Sequence, residues 1–174
     1  IRVKHPKKSL QFYADVLGFV MLKAFHFPQW KFSVYFVVVP EPGMVVPESE
    51  EEREQLLFKY RGVAIELTHN YGTELPEDTT RYHSGNEEGH LGFGHIGLHC
   101  DDVMATVHDL RAKNVRVKSP PEELGGSRAV LLDPDGYYLQ LVQRSAQSPW
   151  RGRTRFSLAQ IMLRVKDPKL SLDF

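Results

Sequence analysis

Ile1-Arg-Val-Lys-His-Pro-Lys-Lys-Ser-Leu-Gln-Phe12 opens the chain, and Leu163-Arg-Val-Lys-Asp-Pro-Lys-Leu-Ser-Leu-Asp-Phe174 closes it. Eight of the twelve positions are identical, and Ile1/Leu163 is a conservative ninth. Self-similarity this dense marks a recurring structural unit. It predicts that a second copy of a domain begins near residue 160. On that reading residues 1–142 form a first domain, 143–158 a polar and basic linker, and 159–174 the first strand and helix start of a truncated second domain.

The repeated stretch is also the start of a smaller module. Ile1–Val3 reads as a strand end. Pro6 opens a helix through Leu17, at a first-turn position where its missing N–H costs nothing. Leu10, Tyr13, Val16 and Leu17 recur at helical spacing, and Gly18 suits the C-terminal cap. Strands are expected at Val20–Phe27, Phe32–Val39 and Val63–Thr68. Pro40–Tyr60 carries prolines and an acidic run, Glu48 to Glu54, and reads as a solvated loop with room for a helical turn. Residues 71–92 are a loop by composition.

The same order restarts at Phe93. Gly94–Cys100 is a strand. Asp101 or Asp102 caps a helix with Val103, Val107 and Leu110 on one side, and Asn114 suits its left-handed end. Strands at Val115–Val117, Ala129–Leu132 and Tyr137–Val142 follow, with Asp133-Pro-Asp-Gly136 as a tight turn. The expected fold class is therefore α+β, built from paired βαβββ modules at 1–70 and 93–142. Inward positions alternate along each strand, so a cupped sheet can collect polar groups from several strands.

Bulk composition narrows the partners. With 41% hydrophobic and 25% charged residues the chain can bury a core. Lys plus Arg and Asp plus Glu both number 22, so there is no basic footprint for nucleic acid or an anionic membrane. No apolar run is long enough to span a bilayer and no signal peptide is visible, and the sparse cysteine usage suits a reducing cytosol, so a cytoplasmic location is expected. The single cysteine, Cys100, reads as a small buried hydrophobe.

Four polar side chains sit in the middle of short apolar strands: Glu66, His95, Gln140 and Gln160. Burying such groups is costly unless something pairs with them. Singly, each also fits an exposed strand face or a hydrogen-bonded core residue. Together, nitrogen and oxygen donors on rigid strands suit a borderline divalent ion such as zinc or nickel.

Five segments carry a family resemblance: Arg2 to Tyr13, Lys31-Phe-Ser-Val-Tyr-Phe36, Ile65-Glu-Leu-Thr-His-Asn-Tyr-Gly-Thr-Glu74, Gly92-Phe-Gly-His-Ile-Gly97 and Asp133-Pro-Asp-Gly-Tyr-Tyr138. Over residues 1–142, restarting at 160, the chain resembles glyoxalase I (lactoylglutathione lyase) of the vicinal oxygen chelate superfamily, in its tandem two-domain form. The resemblance implies a lyase that isomerises the methylglyoxal–glutathione hemithioacetal to S-lactoylglutathione, a methylglyoxal detoxification step. It implies one divalent metal, Zn or Ni, per competent site. Glu66, His95, Gln140 and Gln160 then fall on metal-ligand positions. Arg2, Asn70, Arg164 and Lys118 fall on substrate-binding positions, and Phe25, Phe27, Val34 and Phe36 on the apolar pocket.

The family builds each site from two domains, so Glu66 is expected to be completed by a second glyoxalase domain of the same chain. At Gln140 the family has a glutamate that also serves as catalytic base, and an amide is not basic near neutral pH. Leu91, Glu123 and Leu124 likewise replace cationic or small positions. The expectation is one competent site around Glu66, one degenerate site around His95, and an inactive 174-residue fragment. The alternative is a non-catalytic small-molecule or metal-binding member of the same superfamily.

Overall fold

The computed structural model describes residues Ile1–Phe174, which divide into two compact units: Ile1–Tyr82 with Arg144–Leu158, and His83–Gln143 with Ala159–Phe174.

In the first unit, α1 (Pro6–Leu10) starts with its proline in the first turn and runs on through Gln11–Val16 as a wider π-helical coil. The Leu17 N–H donates to the Phe12 carbonyl, five residues back, at 3.0 Å. The helix expected through Leu17 is present, but its second half is not α. Phe12, Tyr13 and Leu17 are buried, and Gly18, at φ +80°, turns the chain out of the helix. Strands β1 (Val20–Phe27), β2 (Phe32–Val38) and β3 (Ala64–Asn70) form an antiparallel sheet in that order. The expected strand at Ile1–Val3 is reduced to one parallel bridge from Arg2 to Thr68. Ile65, Leu67 and His69 are buried, while Ala64, Glu66, Thr68 and Asn70 point to the other face. That period-two alternation sets which side chains line the site.

Two stretches read as irregular are ordered. Glu50–Lys59 is a ten-residue helix, α2, inside the presumed loop Pro40–Tyr60. The Ser49 hydroxyl oxygen accepts from the Glu52 N–H at 3.2 Å, and the hydroxyl donates to the Glu52 carboxylate at 2.8 Å. Glu50, Glu51 and Glu52 then complement the positive end of the helix dipole. The acidic run is thus a capped helix start. The second stretch, 143–158, was expected as a linker, but 144–158 packs into the first unit. Phe156 is 2% exposed, and the buried Arg144 guanidinium donates to the Thr154 carbonyl at 2.7 Å and hydroxyl at 3.0 Å. Arg155 donates to the Val16 carbonyl at 3.1 Å, at the end of the first helix.

The second unit contains β4 (Phe93–Cys100), α3 (Val103–Ala112), β5 (Arg116–Ser119), β6 (Arg128–Leu132), β7 (Tyr138–Gln143) and, from Ala159 onward, β8 (Ser157–Leu163). Its sheet order is β5-β6-β7-β4-β8, with β4 and β7 parallel. Asp102 caps α3 by accepting from the Ala105 N–H at 2.9 Å, and Val103, Val107 and Leu110 are its buried face. Asn114 takes the left-handed conformation at φ 60°. The buried Asp133 carboxylate accepts from the N–H groups of Asp135 and Tyr137, which tightens the turn into β7. After β8, Asp167 caps α4 (Pro168–Asp173), the repeat's helix start. Cys100 is 1% exposed and forms no disulfide.

Candidate functional site

In the first unit, strand register builds an open apolar groove. Phe25 faces Val34 across β1 and β2, Phe27 faces Phe32, and Phe36 faces Glu66 across β2 and β3. Paired residues share a face, so these six side chains share one surface. With Leu57 and Phe58 of α2 and with Ala64 they line a hollow of about 540 Å³. Phe25 packs edge-on against Phe36 at 6.0 Å, and Phe27 and Phe32 stack at 4.8 Å. Lys23 ties α2 to β1 through Glu54 at 3.1 Å and Glu50 at 3.4 Å. Glu66 is the one carboxylate among these lining residues. It is exposed, and its Oε1 accepts from the Thr68 hydroxyl at 3.1 Å.

Four residues beyond Glu66 on the same face stands Asn70. Its Oδ1 accepts from the exposed Arg2 guanidinium at 3.2 Å, and its Nδ2 donates to the Tyr82 hydroxyl at 3.1 Å. Arg2 is exposed and donates to Asn70 through Nη1, and a fork of parallel N–H groups matches a carboxylate in geometry. His69, between Thr68 and Asn70, points to the core and bonds Glu74 at 2.7 Å, so it takes no part in the groove.

In the second unit, His95, Gln140 and Gln160 converge from three neighbouring strands. The Gln160 Nε2 lies 3.0 Å from the His95 Nε2 and 3.4 Å from the Gln140 Oε1. Gly97 pairs with Gln140 in the β4–β7 register, and the Gln160 stem lies over it. A Cβ on Gly97 would stand 2.6 Å from the Gln160 Cγ, so only glycine admits that approach. Partial burial, and then the Arg164 charge, lower the His95 pKa, which keeps the ring neutral and its lone pair available. The three side chains suit a divalent ion in donor type and convergence. They carry no negative charge to offset one, and no group of three or more His, Cys, Asp or Glu assembles here or elsewhere in the chain.

The remaining expected positions separate. Arg164 donates to the Gly85 carbonyl at 3.0 Å, the Asn86 Oδ1 at 3.0 Å and the Phe93 carbonyl at 3.3 Å. Its guanidinium is spent on the loop before β4, unlike that of Arg2. Lys118 is exposed on β5, at the far edge of the β5-β6-β7-β4 order from His95. Leu91 is exposed, His90 stacks on His83 at 3.5 Å, and Glu123 and Leu124 lie in a single 3₁₀ turn.

Sequence reasoning missed Phe32, Leu57, Phe58, Thr68 and Tyr82. Phe32 was within reach, since Phe32, Val34 and Phe36 alternate along one strand. Leu57 and Phe58 followed from the Ser49-Glu-Glu-Glu52 capping signature. Tyr82 lies in a loop, where no pattern marks it.

A family model described as the Glyoxalase/Bleomycin resistance protein/Dioxygenase superfamily matches residues 1–141. The chain is 38% identical over 145 residues to the lactoylglutathione lyase of Pseudomonas aeruginosa, covering 83% of the chain and 80% of that protein. It is 35% identical over 178 residues to glyoxalase I of Saccharomyces cerevisiae, covering all of the chain and 53% of the yeast protein. The crystal structure of glyoxalase I from Zea mays superposes with a TM-score of 0.68 at 27% identity, over 99% of the chain and 50% of the maize chain. The chain therefore spans about half the length of the yeast and maize proteins.

Proposed function

The chain belongs to the Glyoxalase/Bleomycin resistance protein/Dioxygenase superfamily, and from that premise we propose that its groove is half of a lactoylglutathione lyase site. The observation that carries this reading is one strand face presenting Glu66 in an aromatic groove and an Arg2–Asn70 pair beside it. The substrate is the hemithioacetal of glutathione and methylglyoxal. Arg2 holds a glutathione carboxylate and Asn70 an amide group. The apolar groove takes the carbonyl-derived end and keeps water from it.

The reaction moves a proton from C1 to C2 of the hemithioacetal and the hydroxyl proton from the C1 oxygen to the C2 oxygen, so no atom is gained or lost. Glu66 lies at the reacting end. A carboxylate there accepts and returns protons without a change in net composition. A divalent ion, zinc or nickel, would be held by Glu66 together with donors from a second glyoxalase domain, and when bound it neutralises charge developing on the two vicinal oxygens. The second domain also brings the opposing carboxylate. His95, Gln140 and Gln160 form the degenerate counterpart, because Gln140 cannot accept a proton.

The test compares Glu66→Gln with His95→Ala in the full-length protein, by thioester formation from methylglyoxal and glutathione. Glu66→Gln is expected to lower kcat by about 10²–10⁴-fold, the range for a lost acid–base group. His95→Ala is expected to stay within about tenfold, less than one proton-transfer role is worth. Equal losses would overturn the assignment, as would turnover by the 174-residue chain alone.

A further inference from the structure

We infer that the His95–Gln140–Gln160 cluster is a hydrogen-bonded latch that fastens β8 to β4 and β7, and that it closes without a metal. The geometry of the Gln160 amide carries the inference. Two acceptors, the His95 Nε2 and the Gln140 Oε1, point at one place, and the Gln160 Nε2 stands in it at 3.0 and 3.4 Å. An NH₂ group has two hydrogens, one for each acceptor. The place where a cation would gather these donors is occupied by a donor of the chain itself.

Charge favours the same outcome. Among residues 1–174 no group of carboxylates gathers at the cluster, so a divalent ion held by its one imidazole and two amides alone would keep its full charge against the loss of hydration. The amide bridge carries no such cost. Gln140 is the decisive residue. A carboxylate at that position would attract a cation, whereas the amide oxygen satisfies the Gln160 N–H and leaves the cluster neutral.

The surrounding contacts are those of a fastening. Gly97 lets the Gln160 stem press onto β4, and at Gly94 the Met162 side chain occupies the space of a missing Cβ. At the end of β8, the Arg164 N–H donates to the Gly92 carbonyl at 2.7 Å. Its guanidinium holds Gly85, Asn86 and Phe93, and Asn86 in turn donates to the Gly94 carbonyl at 2.7 Å. Gln160 and Arg164 thus bind the chain rather than a ligand.

The inference concerns β8 and is independent of whether the Glu66 groove is catalytic. Its test uses hydrogen exchange and metal binding on the 174-residue chain. With EDTA present, the β8 amides are expected to keep their protection in the wild-type chain and to exchange about tenfold faster in Gln160→Leu, the scale of one lost hydrogen-bond pair. Zn²⁺ and Ni²⁺ are expected to bind wild type and His95→Ala with equal stoichiometry. Gln140→Glu is expected to gain one further ion, with a rise in Tm of about 5–10 °C at a hundredfold excess over Kd. Loss of β8 protection on adding EDTA to wild type would overturn the latch. So would an ion bound by wild type and lost in His95→Ala, a comparison that stands even if Gln140→Glu fails to fold.

Discussion

Replacing Arg164 by alanine and, separately, Arg2 by alanine removes the same side chain from the two copies of the repeat, with opposite expected effects. Arg164 donates three hydrogen bonds at 3.0, 3.0 and 3.3 Å, two to main-chain carbonyls and one to Asn86. A typical net contribution is about 0.5–1.5 kcal/mol each. The guanidinium is exposed, so a total near 2 kcal/mol is reasonable. For a chain of this size that corresponds to a fall in Tm of about 4–8 °C. Arg2 donates to Asn70 at 3.2 Å, also exposed, which is worth about 0.5 kcal/mol and a shift of only about 1–2 °C. Its loss should appear instead in ligand binding. A charge-assisted contact to a carboxylate contributes about 1.5–3 kcal/mol, or about 10–150-fold in affinity. Urea and thermal unfolding measure the first quantity. Titration of the full-length protein with an S-alkyl glutathione measures the second. Equal Tm losses in the two variants, or a larger affinity loss in Arg164→Ala than in Arg2→Ala, would refute the division of roles.

Three further outcomes concern Phe156, Ser49 and Glu74. Phe156→Ala should cost about 3–5 kcal/mol, the usual penalty for truncating a buried aromatic, because Phe156 is 2% exposed; a denaturant midpoint like wild type would show that 144–158 is a linker after all. Ser49→Ala should destabilise the start of α2 by about 1 kcal/mol and raise exchange at the amides of Glu51 and Glu52. Glu74 titrates below the usual 4.5, held down first by its own backbone N–H and then by the His69 side chain. The sign follows from linkage: a carboxylate depressed in the folded state contributes its stability above its ordinary pKa, and that stability is lost as pH falls through the folded value. Wild type should therefore lose more stability than Glu74→Gln as pH drops below about 4.5, and parallel acid unfolding curves would contradict the His69–Glu74 contact.

Much of the fold was legible because its signals are local. Pro6 and Gly18 bracket a helix, Asp102 caps another, and Asp133 closes a turn with its own carboxylate. Period-two alternation places Glu66 on the groove face, whereas Asn70 lies beyond the strand end expected at Thr68 and was marked only by the family resemblance. The π-helical turn at Gln11–Val16 was not legible, because α and π coils differ by one residue in hydrogen-bond span and share the same apolar spacing. Charge density hid α2: the run at 48–54 looked like a solvated loop, although Ser49 and Glu52 spell a capping box. The packing of 144–158 rests on one buried aromatic and one buried arginine, which composition averages away.

The repeat shows where sequence stops determining role. Arg2 and Arg164 share their neighbours Val-Lys and a following Pro, and nothing local distinguishes them. What separates them is the acceptor each meets. Arg2 meets Asn70, which holds it with one bond beside an open groove. Arg164 meets a loop folded back by Gly85 at φ +78°, a position where a Cβ would stand 2.7 Å from the Phe93 nitrogen. That turn exposes two carbonyls and an amide at the right spacing for one guanidinium, and Asn86 fixes the loop with its own bond to Gly94. Replacing Gly85 by alanine should therefore loosen Arg164, because two of its three acceptors are the main-chain carbonyls of Gly85 and Phe93, whose approach that turn sets. A repeat keeps the residue, but the segment it lands on decides how many of its donors the chain itself engages.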